Sequence, residues 1–118
     1  MESNSRLDKI PKDYFFEDFF KEVVFQGVAN VTGESAAQAI LFHVDFAKNA
    51  RSPKKVHEAL KSLLGGNGAN LVEKSIARLM FDRIKANPTS SFSETYFDFI
   101  DCVEHARMIF DHRFSTQL

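Results

Sequence analysis

Two acid–base residues of this 118-residue chain fall on otherwise apolar helix faces. At 100° per residue Glu73 lies beside Met80 and Ile84, so we expect its carboxylate to be partly buried. His43 lies between two apolar faces of its own predicted helix. A buried carboxylate needs a partner, and His43, His57, an arginine or backbone N–H groups near the start of its helix are the candidates. We interpret His43 and Glu73 as a buried polar pair, with contacts to a ligand as the alternative.

The sequence Gly65-Gly66-Asn67-Gly68 is a second candidate, because it leads into a predicted helix. Free backbone N–H groups at a helix N-terminus bind anions, so this turn is a candidate anion site. It lacks the Lys-Ser/Thr of a phosphate-binding P-loop and follows no strand. A tight turn between helices, which requires left-handed backbone angles, explains the glycines equally well.

Neither a metal centre nor a catalytic centre is predicted. One face of the last predicted helix carries five acids and histidines: Glu94, Asp98, Asp101, His105 and His112. The two histidines are seven residues apart, about 10.5 Å along a helix axis, and cannot bind one ion. The single cysteine, Cys102, can form no internal disulfide and no Cys-based zinc site. We therefore predict a protein that is not an enzyme and that holds no cofactor.

Five helical segments must position these side chains, and no stretch shows the alternation of a strand. The segments cover about residues 13–31, 35–49, 53–64, 69–86 and 91–114. Capping signals predict the helix starts: Asp13, Ser35 with Gln38, Ser52 before Pro53, and Ser91 with Glu94. Stop signals predict the helix ends: Thr32-Gly33, Gly65 and Asn87-Pro88. We predict an all-α fold, a compact bundle of five helices, with the second helix at its centre.

The domain organisation follows from the same pattern. Residues 1–12 mix charged and polar residues ahead of the first helix and are interpreted as a flexible N-terminal segment. Residues 13–118 form a single helical domain, since no linker interrupts the helical segments.

Phenylalanine dominates the aromatic content, with thirteen Phe, two Tyr and no Trp. A Phe side chain fills volume without needing a hydrogen-bond partner, which favours apolar packing over a polar active site. The apolar stripe of the first helix is broader than one packing partner requires, and it includes Phe15, Phe16, Phe19 and Phe20. We predict that these four residues form the interface of a homodimer.

Charge excludes some partners and leaves others open. Fifteen basic and sixteen acidic residues give a net charge of −1, so no global field attracts nucleic acid or an anionic membrane. The third helix is locally basic, and Lys54, Lys55 and Lys61 are candidate contacts to DNA phosphates. Residues 1–12 have no apolar signal-peptide core, and no apolar run is long enough to span a bilayer. We therefore expect a cytoplasmic protein that is not in a membrane.

Three stretches in the middle of the chain carry a resemblance. They are Gly33 to Val44 (GESAAQAILFHV), Ser52 to Leu60 (SPKKVHEAL) and Leu64 to Ile76 (LGGNGANLVEKSI). The chain resembles, over about residues 20–84, the small helical Nitrosopumilus output-domain family of ammonia-oxidising archaea. The resemblance implies an archaeal cytosolic output module of signal transduction without an assigned enzymatic activity.

These observations predict a non-catalytic helical module that acts in regulation through protein–protein contacts with an unknown partner and through self-association. Two alternatives stay open. One is a DNA-associated regulatory module that uses the basic third helix. The other is a helical protein that binds an apolar small molecule, with His43 and Glu73 as its polar contacts.

Overall fold

Five helices make up the computed structural model, which describes residues 15–88, 90–93 and 95–115. They are α1 (Phe16–Thr32), α2 (Glu34–His43), α3 (Phe46–Asn49), α4 (Pro53–Arg83) and α5 (Phe99–Ser115). The radius of gyration, 14.3 Å, is close to the roughly 13–14 Å of a compact chain of this length. The predicted all-α bundle of five helices is confirmed, while the predicted flexible segment, residues 1–12, lies outside the described residues.

Helix α1 lies at the centre of the bundle, where it packs against α2, α4 and α5. It crosses α4 at Gly27, where a Cβ atom would come within 2.7 Å of the Ile76 backbone. The Gly27 carbonyl oxygen also accepts a hydrogen bond from Ser75 Oγ at 2.8 Å. The helix ends at the predicted stop, because Gly33 adopts a positive φ of 92°. Its predicted N-cap, Asp13, lies outside the described residues.

The predicted second helix is two helices. Helix α2 ends at His43, the chain turns at Asp45 with a φ of 52°, and α3 begins at Phe46. The turn allows Val44 and Phe46, which are both buried, to face the core. Two further predictions were wrong. Helix α2 begins at Glu34 directly after Gly33, so Ser35 does not cap it. The helix lies at the periphery rather than at the centre, and Ala37 is its only buried residue.

Gly65 divides α4 into a first arm, residues 53–64, and a second arm, residues 66–83. Its φ of 79° and ψ of 169° are non-helical and suit glycine, as the sequence predicts for this turn. The first arm begins as predicted, since Ser52 Oγ accepts a hydrogen bond from the Lys55 N–H at 3.2 Å. The second arm ends at Arg83, earlier than predicted, with Lys85 in the left-handed conformation.

Helix α5 begins later than predicted. The Asp98 carboxylate accepts the Asp101 N–H at 3.0 Å and so caps the start of the helix. The preceding residues form a turn in which the centroids of the Phe92 and Phe97 rings lie 5.1 Å apart. Residues five apart lie about 140° apart on a helix, so this ring contact excludes a helix over the turn. The predicted start at Ser91 is therefore wrong, and its capping partner Glu94 lies outside the described residues.

Candidate functional site

The bend at Gly65 brings two titratable side chains of α4 together. His57 and Glu73 are each eight residues from Gly65, on opposite arms, and His57 Nδ1 lies 2.7 Å from Glu73 Oε2. The Glu73 side chain is 3% exposed and that of His57 is 34% exposed. The predicted burial of Glu73 is confirmed, and its partner is His57, one of the partners that the sequence left open.

His43 does not belong to this pair. It is exposed at the end of α2, about 120° around the helix from the buried Ala37, and its ring lies against the Phe42 ring at 6.3 Å. The prediction of a buried pair between His43 and Glu73 is therefore wrong. The physical reason is the peripheral position of α2, which turns His43 away from the core instead of toward a second packing partner.

Burial raises the pKa of Glu73 above its ordinary value of 4.5. The hydrogen bond and the charge of His57 act in the opposite direction, as does Lys61, whereas Asp98 adds to the increase. Among the described residues no group of three or more His, Cys, Asp or Glu side chains is placed to hold a metal ion. The contact between His57 and Glu73 connects the two arms of α4 across Gly65. It also gives the buried carboxylate a hydrogen-bond partner.

The other predicted polar sites lie along the same helix. Lys54, Lys55 and Lys61 are all exposed on the first arm of α4. Gly65 forms the turn, while Gly66, Asn67 and Gly68 are part of helix α4 rather than of a longer loop. Contact of the lysines with DNA phosphates, and anion binding by the glycine-rich turn, stay predictions.

The predicted interface on α1 is wrong for three of its four residues. Phe16, Phe19 and Phe20 are 5%, 6% and 1% exposed, whereas Phe15 is 64% exposed. The Phe16 and Phe19 rings pack on Phe110 at 5.6 and 5.2 Å. The broad stripe does have more than one packing partner, as its width suggests, but those partners are helices of the same chain.

The exposed apolar side chains are spread over several elements of the fold. The large hydrophobic residues that are exposed among the described residues are Phe15, Val31, Phe42, Leu63, Leu71, Tyr96 and Met108. Phe42 has the greatest exposed fraction, 83%. An isolated exposed apolar side chain is ordinary, so its surroundings decide whether it marks a binding surface.

The part of α2 around Phe42 carries no Asp, Glu, Lys or Arg, and the next such residue is Asp45 in the turn that follows the helix. Seven residues of α2 are exposed, and we define the α2 outer face as the six that follow Glu34: Ser35, Ala36, Gln38, Ala39, Phe42 and His43. No Asp, Glu, Lys or Arg lies between Glu34, the first residue of α2, and His43, the last. By contrast, Met108 on α5 shares its exposed side with Glu104 and Asp111, one helical turn away on either side. The α2 outer face therefore contains no Asp, Glu, Lys or Arg, and Phe42 is its one large apolar side chain.

Sequence reasoning missed this surface because α2 is apolar almost all round. Such a helix is normally buried, and we interpreted it as buried by the rest of the domain. The short connection to α1, the single residue Gly33, ties α2 to one neighbour and is the signal that would have favoured a peripheral position.

No described helix is both long enough and apolar enough to cross a membrane. Comparison of the chain with known protein families, curated proteins and solved structures finds no match. The site geometry and the sequence are thus the basis for any functional assignment.

Proposed function

We propose that this chain is a non-catalytic interaction module that works in cytosolic regulation and binds another protein chain through the α2 outer face. One observation carries the proposal: α2 is rich in apolar residues, yet Ala37 is the only one of its ten residues that is buried. Ile40 and Leu41 are half-buried against the core, whereas Ala36, Ala39 and Phe42 are exposed, so a partner that covers these three removes apolar surface from water.

The energetic case rests on Phe42. Removing a Phe side chain from water is worth about 1.5–3 kcal/mol, and Phe42 is 83% exposed. The small neighbours Ser35, Ala36 and Ala39 allow a partner to approach the helix closely. Aromatic side chains at the centre of an interface commonly carry much of its binding free energy. Phe42 is thus the expected anchor of the interface.

The resemblance to the Nitrosopumilus output-domain family supports the same proposal. That resemblance implies an archaeal output module of signal transduction without an assigned enzymatic activity. In this chain α2 lies within the stretch Gly33 to Val44 that carries part of the resemblance.

Affinity capture tests the proposal. The wild-type chain, Phe42→Asp and Met108→Asp serve as baits in a lysate of the source cells, and captured proteins, including untagged copies of this chain, are quantified by mass spectrometry. Met108→Asp is the matched control, because Met108 is 68% exposed on α5. We expect proteins that the wild type and Met108→Asp retain and Phe42→Asp loses. If capture by the wild type and by Phe42→Asp is identical, the α2 outer face is not the interaction surface.

A DNA-associated role is the second candidate, supported by the exposure of Lys54, Lys55 and Lys61 on one arm of α4. Affinity for a DNA duplex would then fall with salt, with a logarithmic slope of about −0.9 for each phosphate contact. Replacing the three lysines with glutamine would reduce that slope by up to about three such contacts. A wild-type chain that shows no salt-dependent binding to DNA rules this candidate out.

A further inference from the structure

The bend at Gly65 turns α4 back toward itself. His57 and Glu73 are 16 residues apart, which is about 24 Å along a straight helix, yet Nδ1 of one and Oε2 of the other lie 2.7 Å apart. The two arms of α4 therefore form a V with Gly65 at its apex. We define the α4 tip as the ten residues 62–71, which surround this apex.

The α4 tip is largely exposed. Ala69 is the only one of its ten residues that is buried. A Cβ atom placed on Gly65 or Gly66 would have no atom within 4 Å. The tip nevertheless carries two large apolar side chains, Leu63 and Leu71, which are 45% and 58% exposed. Each arm of the V thus presents an apolar side chain to solvent near the apex.

The charge beside the tip is basic. The tip itself contains no Asp, Glu, Lys or Arg, and Lys61 directly precedes it. Lys61 is four residues from Gly65, about 6 Å along the helix axis, which is within the range of charge interactions at physiological salt. No acidic residue lies between Glu58 and Glu73 in the chain, and the Glu73 side chain is 3% exposed. An anionic surface that meets the tip is thus attracted by Lys61 and contacts no acidic residue of the tip itself.

We infer that the α4 tip binds the surface of an anionic lipid bilayer. Leu63 and Leu71 enter the boundary between headgroups and acyl chains, while Lys61 lies among the headgroup phosphates. The helix rests on the bilayer and does not cross it. Exposed apolar side chains beside basic residues are the combination that such a surface takes up.

A bilayer suits this combination better than a DNA duplex does. The exposed lysines of the first arm, Lys54, Lys55 and Lys61, outnumber its one acid, Glu58, and would be attracted to either polyanion. A duplex bound through these lysines leaves the two leucines in water, whereas a bilayer removes them from it. The tip is separate from the α2 outer face, so the inference goes beyond the proposed function and does not depend on it.

Co-sedimentation of the purified chain with lipid vesicles tests the inference. At about 1 mM lipid we expect the wild type to bind vesicles with about 30% phosphatidylserine, and to bind pure phosphatidylcholine at least about tenfold more weakly. The double variant Leu63→Ser/Leu71→Ser should bind the anionic vesicles at least about tenfold more weakly than the wild type. Met108→Ser is the matched control and should bind like the wild type, because Met108 is 68% exposed on α5. Circular dichroism confirms that each variant is folded.

Three results would overturn the inference. They are a wild type that does not bind the anionic vesicles, a wild type that binds neutral vesicles equally well, and a double-serine variant that binds as tightly as the wild type.

A lysine comparison tests the role of charge. Lys61→Gln should weaken binding to the anionic vesicles about fivefold, which is the effect of one lysine near an anionic surface. Lys85→Gln is the control and should leave binding unchanged, because Lys85 is also exposed but lies 20 residues from Gly65, beyond the end of the second arm. Equal effects at the two positions would contradict contact at the tip. DNA binding that depends on Lys61 but not on the two leucines, with no binding to vesicles, would assign the lysines to DNA instead.

A fluorescent probe tests insertion of the tip independently of affinity. An environment-sensitive fluorophore is attached to Leu63→Cys or, as the control, to Met108→Cys. The native Cys102 is not labelled, because it is buried and burial raises the pKa of its thiol to about 12. We expect anionic vesicles to shift the emission of the probe at position 63 to shorter wavelengths and to leave that at position 108 unchanged. Equal shifts at both positions, or none at either, would contradict insertion of the α4 tip.

Discussion

Helices α1 and α2 adjoin in the chain and are both rich in apolar residues, yet the fold treats them in opposite ways. Helix α1 buries seven of its residues between α2, α4 and α5. Helix α2 buries Ala37 alone and leaves Phe42 83% exposed. The apolar content of a helix thus does not by itself decide how many of its residues the fold buries.

Truncation of one phenylalanine on each helix has the largest expected effect. Phe20 is 1% exposed and lies among Phe16, Phe46 and Phe99. We expect Phe20→Ala to lower the free energy of unfolding by about 3–5 kcal/mol, because it leaves a cavity in the core.

Its counterpart Phe42→Ala should change the free energy of unfolding of the monomer by less than about 0.5 kcal/mol. Urea denaturation at low protein concentration, where any dimer is dissociated, measures both variants. Equal losses of stability would mean that α2 is packed in the monomer and that the contrast between the helices is mistaken.

His57 and His43 were both candidate partners of the Glu73 carboxylate. His57→Ala leaves a carboxylate that is 3% exposed without its partner at 2.7 Å. We expect a loss of about 1–3 kcal/mol in the free energy of unfolding. His43→Ala is the matched control and should cost less than about 0.5 kcal/mol, because His43 is exposed. A larger effect at His43 than at His57 would reverse the assignment of the pair.

Gly65 and Gly66 give a comparison within the bend itself. Gly65 has a φ of 79°, which an alanine adopts only with strain, so Gly65→Ala should cost about 1–3 kcal/mol. Gly66 has a φ within the usual range and no atom within 4 Å of a Cβ placed there. Gly66→Ala should therefore stabilise the chain by up to about 1 kcal/mol. Thermal unfolding of both variants measures the difference, and equal effects would contradict a bend centred on Gly65.

The smallest expected effect is the dependence of stability on pH. Burial raises the pKa of Glu73 above 4.5, so the folded state binds more protons than the unfolded state at pH values just above 4.5. The free energy of unfolding then falls as pH rises through that range. The difference between the wild type and Glu73→Gln, measured by urea denaturation at several pH values, should fall in the same way. A difference that grows with pH would show that the carboxylate is held in its charged form.

Local chemistry made much of the fold predictable. Ser52 with Pro53, Thr32 with Gly33 and the glycine at position 65 mark helix boundaries through hydrogen bonds and backbone angles that depend on neighbouring residues only. The partial burial of Glu73 followed from its place on a helical wheel. These features need no knowledge of how the helices pack.

Features that depend on packing between distant residues were not predictable. The start of α5 at Phe99 depends on a contact between Phe92 and Phe97 that competes with the helix. The turn at Asp45 depends on placing Val44 and Phe46 in the core together. The choice of His57 over His43 depends on the angle at Gly65, which one residue sets and no periodicity reveals.

Amide hydrogen exchange at low protein concentration tests most directly whether the fold buries α1 and leaves most of α2 exposed. We predict that amides of α2 exchange faster than those of α1, because α1 packs against α2, α4 and α5 whereas α2 buries Ala37 alone. Exchange in α2 that is as slow as exchange in α1 would contradict the contrast between the two helices.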